Sequence, residues 1–294
     1  MNFLVPPSPC VAIRSRFFAD REVWIKRDDL LHSQVSGNKF RKLKYPLLAL
    51  NSQPASLVTM GGIWSNHVHA TAHAAALCGY RSLALIRAAE GMNSAMLDDC
   101  RALGMQLRLI DRQAYRCIRE QPEAWRQWLP NPLPNPLWLP EGGSTAAALR
   151  GVAELVAELP FFPDVIVVAC GTGATLAGLL AGLQGRGRVI GVVVLKDAGF
   201  LPNEVARLLQ EAGHPAYDNY DLLTEWHHGG YGKAPASLRD FCTAFAVDTG
   251  VSLEPTYTGK LFYALHQLIE RGSFTATQSI MAVHTGGLQG ARGY

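Results

Sequence analysis

Hydrophobic and polar positions alternate along the chain in blocks that predict strands and helices in turn. Short runs of consecutive apolar residues, typical of strands buried on both faces, are followed by longer segments with helical periodicity. The strand-like runs are residues 23–25, 56–59, 82–86, 164–168, 189–194 and 280–283. The helix-like segments are residues 68–77, 94–103, 145–158, 205–212 and 259–269. This order predicts an α/β fold with two parallel or mostly parallel sheets covered by helices.

Two segments depart from this alternation. Residues 165–183 contain no charged residue and are long enough for a membrane span. Their middle is a polar glycine loop at 170–175, CGTGAT, so a buried strand, a turn and a buried helix explain them better. Residues 130–136, PNPLPNP, contain four prolines, which lack a backbone donor, and this predicts a surface loop or a loop that connects two lobes.

The composition narrows the class of protein. With 294 residues, of which 48% are hydrophobic and 17% charged, the chain can form two lobes or one large α/β unit. The net charge of +3, without a stripe of Lys and Arg, argues against nucleic-acid binding as a main task. The six cysteines have no CxxC or zinc spacing, and prolines interrupt the N-terminus where a signal peptide needs an apolar run. We therefore expect a cytoplasmic protein with reduced thiols and no membrane or nucleic-acid partner.

The stretch at residues 35–45, VSGNKFRKLKY, places one lysine directly behind a conformationally permissive Gly-Asn pair. A basic helix face explains the three cations at positions 41, 42 and 44. It does not explain why Gly37 and Asn38 precede Lys39. Taken alone, Lys39 could be a solvated lysine at a helix start, whereas its context makes it a candidate for chemistry.

Polar glycine loops follow several predicted strands and enter helices. At residues 61–67, GGIWSNH, the glycines allow a ligand to approach the backbone, and the helix start offers free N–H groups to a carboxylate or phosphate. Ser65 and Asn66 could also be helix caps. The loop at 170–175 resembles a phosphate-binding loop but is neither a Walker A sequence nor a complete GxGxxG. Because Asp197 follows about one βα unit later, this loop alone leaves a nicotinamide cofactor open.

Tyr231 and Tyr257 also lie in glycine-containing loops, where a tyrosine is either a half-buried packing residue or part of a site. Residues 284–287, HTGG, close a predicted strand in the same way as the loop at residue 61. His69 and His73 have helical i, i+4 spacing, but no carboxylate or third ligand stands at a suitable distance in sequence. We therefore expect no metal site.

Together these stretches resemble, in order and over nearly the whole chain, the branch of D-cysteine desulfhydrase and 1-aminocyclopropane-1-carboxylate (ACC) deaminase within the fold type II pyridoxal-phosphate enzymes. The most specific motif is Ser36-Gly-Asn-Lys-x-Arg-Lys-Leu43. The others are Gly61-Gly-Ile-x-Ser-Asn66, Glu141-Gly-Gly-Ser144, the loop from Gly171, Tyr231-Gly232, Pro255-x-Tyr-Thr-Gly-Lys260 and His284-Thr-Gly-Gly287. The resemblance implies two α/β domains, as in the β subunit of tryptophan synthase, with the cofactor in the cleft between them. Residues 1–41 plus 146–294 would form the larger, cofactor-binding domain and residues 42–145 the smaller one.

In this family the lysine after Gly-Asn carries the cofactor, so the resemblance implies that Lys39 holds pyridoxal 5'-phosphate as a Schiff base. Lys39 must lose a proton to do so, and burial beside other cations lowers the pKa of a lysine. Asn66 would contact the phenolic oxygen of the cofactor and Thr285 its pyridine nitrogen. A hydroxyl partner leaves that nitrogen closer to neutral than a carboxylate would, which suits β-elimination. Phosphate binding is implied for Asn38, Lys42, Gly171, Thr172, Gly173, Ala174 and Thr175.

The resemblance also implies roles around the substrate. Ser65 and the amides after it would bind the substrate carboxylate, and Lys39 would take the α-proton. Tyr231 and Tyr257 would line the substrate side and assist proton transfer to the leaving group. Substrate contacts are implied for Trp64, Ser65, Asn66, His67, Tyr257 and Thr258. The implied catalytic residues are Lys39, Ser65, Tyr231 and Tyr257.

Two positions distinguish the branches of the family. In ACC deaminases a glutamate follows the tyrosine of the Pro-x-Tyr motif and a leucine follows the C-terminal histidine, whereas this chain has Thr258 and Thr285, as D-cysteine desulfhydrases do. We therefore expect a lyase that converts D-cysteine to pyruvate, ammonia and hydrogen sulfide, and the resemblance to the family implies a homodimer. The alternatives are ACC deaminase or another lyase or deaminase of small amino acids, and, in a different class, a non-catalytic pyridoxal-phosphate-binding protein. Trp64, where the family usually has glutamine, keeps these alternatives open.

Overall fold

Two sheets organise the chain, and both consist mainly of parallel strands. The computed structural model describes residues 1–3, 5–35, 37–51, 53–121, 123–130 and 133–294. Among these residues the strands are β1 (Cys10–Arg14), β2 (Glu22–Arg27), β3 (Ser56–Gly62), β4 (Arg81–Arg87), β5 (Gln106–Ile110), β6 (Pro136–Leu139), β7 (Val165–Cys170), β8 (Arg188–Val193), β9 (Tyr220–Leu223) and β10 (Ile280–His284). The α-helices in the same residues are α1 (Asn38–Leu48), α2 (Asn66–Cys78), α3 (Ala95–Ala102), α4 (Arg112–Glu120), α5 (Ala146–Ala157), α6 (Ala174–Leu183), α7 (Leu201–Glu211), α8 (Ala236–Thr249) and α9 (Thr258–Glu270).

The larger sheet has the strand order β1-β2-β10-β7-β8-β9, and the smaller sheet has the order β5-β4-β3-β6. Of these neighbouring strands only β1 and β2 pair antiparallel. Strand β10 joins the N-terminal part of the larger sheet to the rest, since Met281 lies opposite both Trp24 of β2 and Ile166 of β7. This arrangement confirms the predicted α/β class with mostly parallel sheets.

The central strands of the larger sheet are apolar on both faces because helices cover both faces. Side chains of β7 alternate between two cores: Ile166 and Val168 pack with residues of α5, α6 and α7, whereas Val165 and Val167 pack with residues of α8 and α9. The uncharged segment 165–183 is therefore a buried strand, a loop and a buried helix, as predicted. Among the residues described, no helix has the length and apolar character needed to cross a membrane.

Each predicted strand and helix overlaps an observed element of the same type. The strands that the hydrophobic pattern does not single out are β1, β5, β6 and β9, which are the two edge strands of each sheet. An edge strand has one neighbouring strand and is partly exposed, so it lacks the continuous apolar run of an inner strand. In β5, for example, three of the five residues are exposed.

The proline-rich stretch at 130–136 only partly follows its prediction. Asn131 and Pro132 lie outside the described residues, and residues 133–135 are irregular. Pro136, however, is the first residue of β6 and pairs with Ser56 of β3, so the loop prediction is wrong at this residue. A proline is tolerated there because it begins an edge strand.

Helix α1 is held against the larger sheet and α5 by a buried group of charges. Arg41 donates to Asp28 Oδ2 at 2.7 Å and to both carboxylate oxygens of Glu158 at 2.8 and 2.7 Å. Lys26 donates to Glu158 Oε2 and to the Ser8 carbonyl oxygen, each at 2.7 Å. Two cations thus face two carboxylates, and the charges balance although the Arg41 and Lys26 side chains are at most 3% exposed. The network fixes where α1 begins relative to β2.

Replacement of Arg41 by methionine tests this network. We expect the free energy of unfolding to fall by about 3–5 kcal/mol, because Asp28 becomes a buried carboxylate without its cation. Urea denaturation of the purified protein measures the change. The matched control, Arg207→Met, removes a guanidinium that pairs with Glu204 and Glu211 on the surface of α7, and should cost about 0–1 kcal/mol. Equal losses in the two variants would contradict the role assigned to Arg41.

Candidate active site

A cavity lies at the carboxyl ends of β7 and β10, where α1 and α2 begin. It encloses about 670 Å³ of space between atoms, including its open mouth. The carboxyl ends of parallel strands are the usual position of ligand sites in open α/β sheets. The wall consists of Asn38, Lys39, Lys42, Asn66, His69, Ala70, Gly142, residues 169–173, Thr175, Leu176, Tyr257, residues 285–287 and Gln289.

The start of α1 is placed by a backbone contact with the loop after β10. Gly37 has a φ of 57° and a ψ of −133°, a conformation that favours glycine. A Cβ at this position would overlap the carbonyl oxygen of Thr285, and the same oxygen accepts a hydrogen bond from Asn38 N at 3.2 Å. As a result, Lys39 in the first turn of α1 reaches the cavity wall. Ser36, the first residue of the motif, lies outside the described residues.

Lys39 is partly exposed to the cavity, and its amine lies among protein atoms at this wall. Burial lowers its pKa to about 8, and among the residues described no charged or hydrogen-bonding group offsets the effect. The predicted decrease of the pKa is confirmed, but burial alone is its cause. The neighbouring cation acts instead on Lys42, whose pKa is lowered well below its ordinary value by burial and then by Lys39.

The two lysines face a helix start that favours anions. Lys42 Nζ donates to the carbonyl oxygen of Gly142 at 3.1 Å. The loop at 170–173 ends at Gly173, with a φ of 83°, and leads into α6. The first turn of α6 offers backbone N–H groups that have no intrahelical acceptor. Buried amines and a helix N-terminus on one wall form a site suited to phosphate.

Side-chain hydrogen bonds join the loop at 170–173 and α6 to their neighbours. Asn38 Nδ2 donates to Thr175 Oγ1 at 2.9 Å, which connects α1 to α6. Ser144 Oγ donates to Thr172 Oγ1 at 2.6 Å, which connects the loop to the segment after β6. Asp197 is exposed and is not on the wall, so the described cavity has no carboxylate where a dinucleotide ribose would need one. Asp197 therefore gives no support to a nicotinamide cofactor in this cavity.

The start of α2 brings Asn66 to the wall, while Ser65 caps the helix. Ser65 Oγ accepts a hydrogen bond from Val68 N at 3.3 Å, so the helix-cap interpretation of Ser65 is confirmed. A Cβ on Gly61 would lie 2.6 Å from Ser65 Oγ, which explains the glycine there. The Ser65 hydroxyl retains its own proton for donation to a ligand. Asn66 Oδ1 accepts a hydrogen bond from Gln289 Nε2.

Trp64 and His67 do not line the cavity, although both flank the Ser65 loop. Trp64 packs against Gly293, where an added Cβ would lie 3.2 Å from the indole ring. His67 is fully buried against Gly143, and neither ring nitrogen has a hydrogen-bond partner among the described residues. Burial, then the charges of Lys39 and Lys42, lower its pKa well below the ordinary range. His67 is therefore neutral.

Tyr257 lies on the wall, and Tyr231 contacts it from the side. The two rings meet edge to face, with their centroids 5.9 Å apart. Burial raises the pKa of Tyr257 well above its ordinary value. Desolvation raises the pKa of Tyr231 to about 12 although 41% of this residue is exposed, so both phenols keep their protons near neutral pH. The loop that carries Tyr231 is held by Lys260, a buried amine that donates to the carbonyl oxygen of Gly230 at 2.7 Å.

Glu254 is a site residue that the sequence analysis missed. Its buried carboxylate accepts hydrogen bonds from the backbone N–H groups of Thr256, Tyr257 and Thr258 at 2.8, 2.7 and 2.7 Å, and thereby fixes the loop that carries Tyr257. Burial raises the pKa of Glu254 to about 7. Thr258 is itself buried, and its hydroxyl donates to the Glu254 carbonyl oxygen and accepts from Glu254 N, away from the cavity. The signal that the sequence offered for this role was the position of an acidic residue, Glu254, just before the start of α9.

His69 is a second residue that the sequence analysis did not assign to the site. It stands three residues after Asn66 on α2, a spacing that places both side chains on one helix face. Its Nε2 lies 3.5 Å from Asp99 Oδ2, and burial, then His73, lower its pKa to about 4, so the ring is neutral. Among the described residues no group of three His, Cys, Asp or Glu side chains could hold a metal ion.

The structure thus brings most of the expected residues to one cavity. Those on the wall are Asn38, Lys39, Lys42, Asn66, Gly171, Thr172, Gly173, Thr175, Tyr257 and Thr285. Those outside the wall are Trp64, Ser65, His67, Ala174, Tyr231 and Thr258. The loop at 285–287 follows β10 and carries the Thr285 side chain, which is 6% exposed.

Comparison with known proteins places this geometry in context. A family model described as pyridoxal-phosphate dependent enzyme matches residues 2–286. The bifunctional D-cysteine desulfhydrase/ACC deaminase of Arabidopsis thaliana mitochondria is 31% identical over 92% of this chain and 73% of its own length. The D-cysteine desulfhydrase of Salmonella typhimurium is 31% identical over 98% of this chain and 93% of its own length. A crystal structure of an ACC deaminase homologue superposes with a TM-score of 0.84 at 29% identity, covering 99% of this chain and 92% of the other.

Replacement of Gly37 by alanine should abolish binding of a phosphate-bearing cofactor and destabilise the protein. The new Cβ overlaps the Thr285 carbonyl oxygen and forces the start of α1, with Lys39, away from the wall. Gly79→Ala is the control, because Gly79 also has a positive φ, of 69°, but no atom within 4 Å of an added Cβ. The control should cost about 1 kcal/mol of stability and leave cofactor binding intact. Equal cofactor affinity of the two variants in a fluorescence titration would contradict the contact.

Replacement of Lys39 by methionine should stabilise the cofactor-free protein. Because the pKa of Lys39 is about 8 in the folded chain and 10.5 in a solvated lysine, the unfolded state binds more protons between these pH values. The free energy of unfolding of the wild type therefore rises as pH increases from 8 to 10.5.

Thermal unfolding of both cofactor-free proteins at several pH values measures this effect. At pH 7, Lys39→Met should melt about 2–5 °C above the wild type, and the difference should narrow above pH 8. The control, Lys44→Met, removes a charge that is paired with Glu154 and should bring no such gain. A lower melting temperature of Lys39→Met at pH 7 would contradict the burial of an uncompensated amine.

Proposed function

The chain belongs to the pyridoxal-phosphate dependent enzymes, and on this premise we propose that it catalyses α,β-elimination of D-cysteine. With one water, D-cysteine gives pyruvate, ammonia and hydrogen sulfide. The observation that carries the proposal is the position of Lys39, a half-buried amine with a pKa of about 8, on the wall of a cavity whose other side favours an anion. Relatives of 31% identity over most of the chain include enzymes named for this reaction.

The residues of the cavity fit the cofactor of the family. Pyridoxal 5'-phosphate, when bound, supplies an electron sink for the electron pair left on the substrate Cα. Lys42, the first amides of α6 and the Asn38–Thr175 pair form the phosphate site, since no carboxylate on the described wall would repel the dianion. The negative charge of the phosphate would also compensate the positive charge of Lys39 and Lys42. We assign this role to Asn38, Lys42, Gly171, Thr172, Gly173, Ala174 and Thr175.

Lys39 has two tasks in this proposal. Its Nζ would hold the cofactor, which requires the neutral amine that burial makes available. The same Nζ would take the Cα proton of the substrate as a general base. A pKa near the working pH suits both tasks, because a general base is most effective when a fraction of it is deprotonated and that fraction is still basic.

Thr285 and Asn66 orient the cofactor ring. We assign the Thr285 hydroxyl to the pyridine nitrogen, and the fixed position of its carbonyl oxygen, which binds Asn38 N, supports this orientation. Asn66 lies on the wall at the start of α2 and is assigned to the phenolic oxygen. A threonine in place of a carboxylate keeps the sink mild and favours prompt release of the β-substituent.

The substrate carboxylate is assigned to the loop before α2. Ser65 Oγ already accepts from Val68 N, so its proton is free to be donated to a carboxylate oxygen. Asn66, the amide after it and the neutral His67 behind the loop complete this side, and Trp64 limits it from the outside.

Two tyrosines are assigned to the leaving group. Tyr257 and Tyr231 both remain protonated near neutral pH, and Tyr257 on the wall can donate a hydrogen bond to the departing sulfur. Thr258 acts on the substrate only through the loop of Tyr257, because its hydroxyl binds Glu254.

We also propose the domain division and the cellular setting. The four-stranded sheet draws its strands from residues 56–139, which agrees with a smaller domain at residues 42–145 and a larger one at 1–41 plus 146–294. The limit at residues 41 and 42 falls inside α1. The six cysteines are all free, which suits a reducing compartment such as the cytoplasm. By resemblance to the family we propose a homodimer.

Products and spectra test the proposal. The purified protein with pyridoxal 5'-phosphate should absorb visible light, change its spectrum on addition of D-cysteine, and release pyruvate and sulfide. Lys39→Ala should lose about 10²–10⁴-fold or more of this activity. Lys44→Ala, in the same helix but paired with Glu154, should retain it within about twofold.

Other substrates separate the alternatives. L-cysteine, ACC and D-serine are assayed in parallel with D-cysteine. Ammonia from ACC without sulfide from D-cysteine would favour ACC deaminase, for which the Arabidopsis relative supplies the precedent. A protein that binds the cofactor but converts none of these substrates would favour the non-catalytic alternative.

A further inference from the structure

The side-chain amide of Asn66 can present either a donor or an acceptor to the cavity. An amide turned by 180° exchanges its oxygen and nitrogen at almost no cost in shape, so the neighbouring groups decide the orientation. We propose that Gln289 and Arg292, in the segment after β10, are positioning residues that hold the Asn66 amide with its Nδ2 donor toward the cofactor. The inference rests on the proposed contact of Asn66 with the cofactor and is independent of the substrate.

The order of donors and acceptors begins at Arg292. A guanidinium has donors only, so the oxygen of any amide that it contacts must face it. Arg292 Nη2 lies 3.3 Å from Gln289 Oε1, and Arg292 Nε donates to the Gln289 carbonyl oxygen at 3.3 Å. With Oε1 turned to Arg292, the Nε2 of Gln289 faces the other way and donates to Asn66 Oδ1. The Asn66 oxygen therefore faces Gln289, and Nδ2 lies on the opposite side of the amide.

The nitrogen side of Asn66 lies against the loop after β10. A Cβ on Gly287 would overlap Asn66 Nδ2, so the glycine permits this close approach. Asn66, Gly287 and Gln289 all line the cavity. The amide is therefore held between Gln289 on its oxygen side and the Gly287 backbone on its nitrogen side, within the wall assigned to the cofactor.

Asp99, on α3, binds Arg292 and so connects these contacts to the helix after α2. Arg292 Nη2 donates to Asp99 Oδ2 at 2.5 Å, and the hydrogen bond to Arg292 is the largest cause of the lowered pKa of Asp99. The same carboxylate oxygen lies 3.5 Å from His69 Nε2. The contacts therefore run from Asn66 through Gln289, Arg292 and Asp99 to His69, which stands one turn after Asn66 on the same face of α2.

The expected consequence is a property of cofactor binding. A phenolic oxygen that carries negative charge is stabilised by an N–H donor and repelled by a carbonyl oxygen. Reversal of the Asn66 amide should therefore weaken cofactor binding and shift the wavelength at which the bound cofactor absorbs, without loss of the fold.

The substitution Gln289→Glu should reverse the orientation of the Asn66 amide. A glutamate carboxylate has acceptors only, so it still pairs with Arg292 but now requires Asn66 Nδ2 to face it and the Asn66 oxygen to face the cavity. We expect the dissociation constant of pyridoxal 5'-phosphate to rise about tenfold or more, with a shifted absorbance maximum. The control is Gln210→Glu, the same change at an exposed position of α7, which should bind as the wild type does. Melting of the cofactor-free proteins shows whether both variants are folded.

Arg292→Met and Arg292→Lys form a second, independent pair. Methionine leaves Gln289 without a group that selects its orientation, so cofactor affinity and the absorbance maximum should change in the direction of Gln289→Glu. Lysine is also a donor-only cation and should restore both. If Gln289→Glu and Arg292→Met keep the wild-type affinity and absorbance maximum, the inference is overturned. Wild-type protein that binds the cofactor but does not convert D-cysteine would refute the proposed substrate and leave this inference intact.

Discussion

The contact between Gly37 and the carbonyl oxygen of Thr285 is the constraint on which the site depends. It joins the start of α1 to the end of β10, two segments that are almost 250 positions apart in the chain, and no side chain larger than hydrogen fits there. Because Asn38 N binds the same oxygen, the first turn of α1 has a fixed direction. Lys39 on one side of that turn reaches the cavity, and Arg41 on the other side reaches the buried charges that hold the helix.

Helix α1 therefore carries two kinds of basic side chain, one paired with buried carboxylates and the other without them. Arg41 is matched by Asp28 and Glu158, so its burial is compensated within the fold. Lys39 and Lys42 lack such carboxylates among the described residues, and their pKa values are lowered by burial. A protein that keeps uncompensated charge loses stability, and the loss is recovered when an anion binds. This contrast distinguishes a structural network from a ligand site on one helix, and it supports the phosphate-bearing cofactor more directly than any glycine pattern.

Backbone segments from three parts of the chain close the other sides of the cavity. The loop before α9 is held by the Glu254 carboxylate, the start of α2 by the Ser65 cap, and the loop after β10 by its approach to Asn66. The first two use a buried polar group to satisfy backbone hydrogen bonds that would otherwise be lost on burial. Rigid loops of this kind let a few side chains meet a cofactor with little reorganisation.

The sequence by itself determined the inner strands, most of the helices that cover them and the ordered motifs that point to Lys39 and the family, because continuous apolar runs and glycine-flanked loops are local signals. It did not single out the helices α4 and α8. It did not single out the edge strands β1, β5, β6 and β9, whose partial exposure removes that signal. Only the tertiary structure decided that Thr258 faces Glu254, that Trp64 packs on Gly293, and that Gln289 and Arg292 meet Asn66. The physical reason is that side-chain direction and long-range contacts depend on how distant segments pack, which no local pattern of residues encodes.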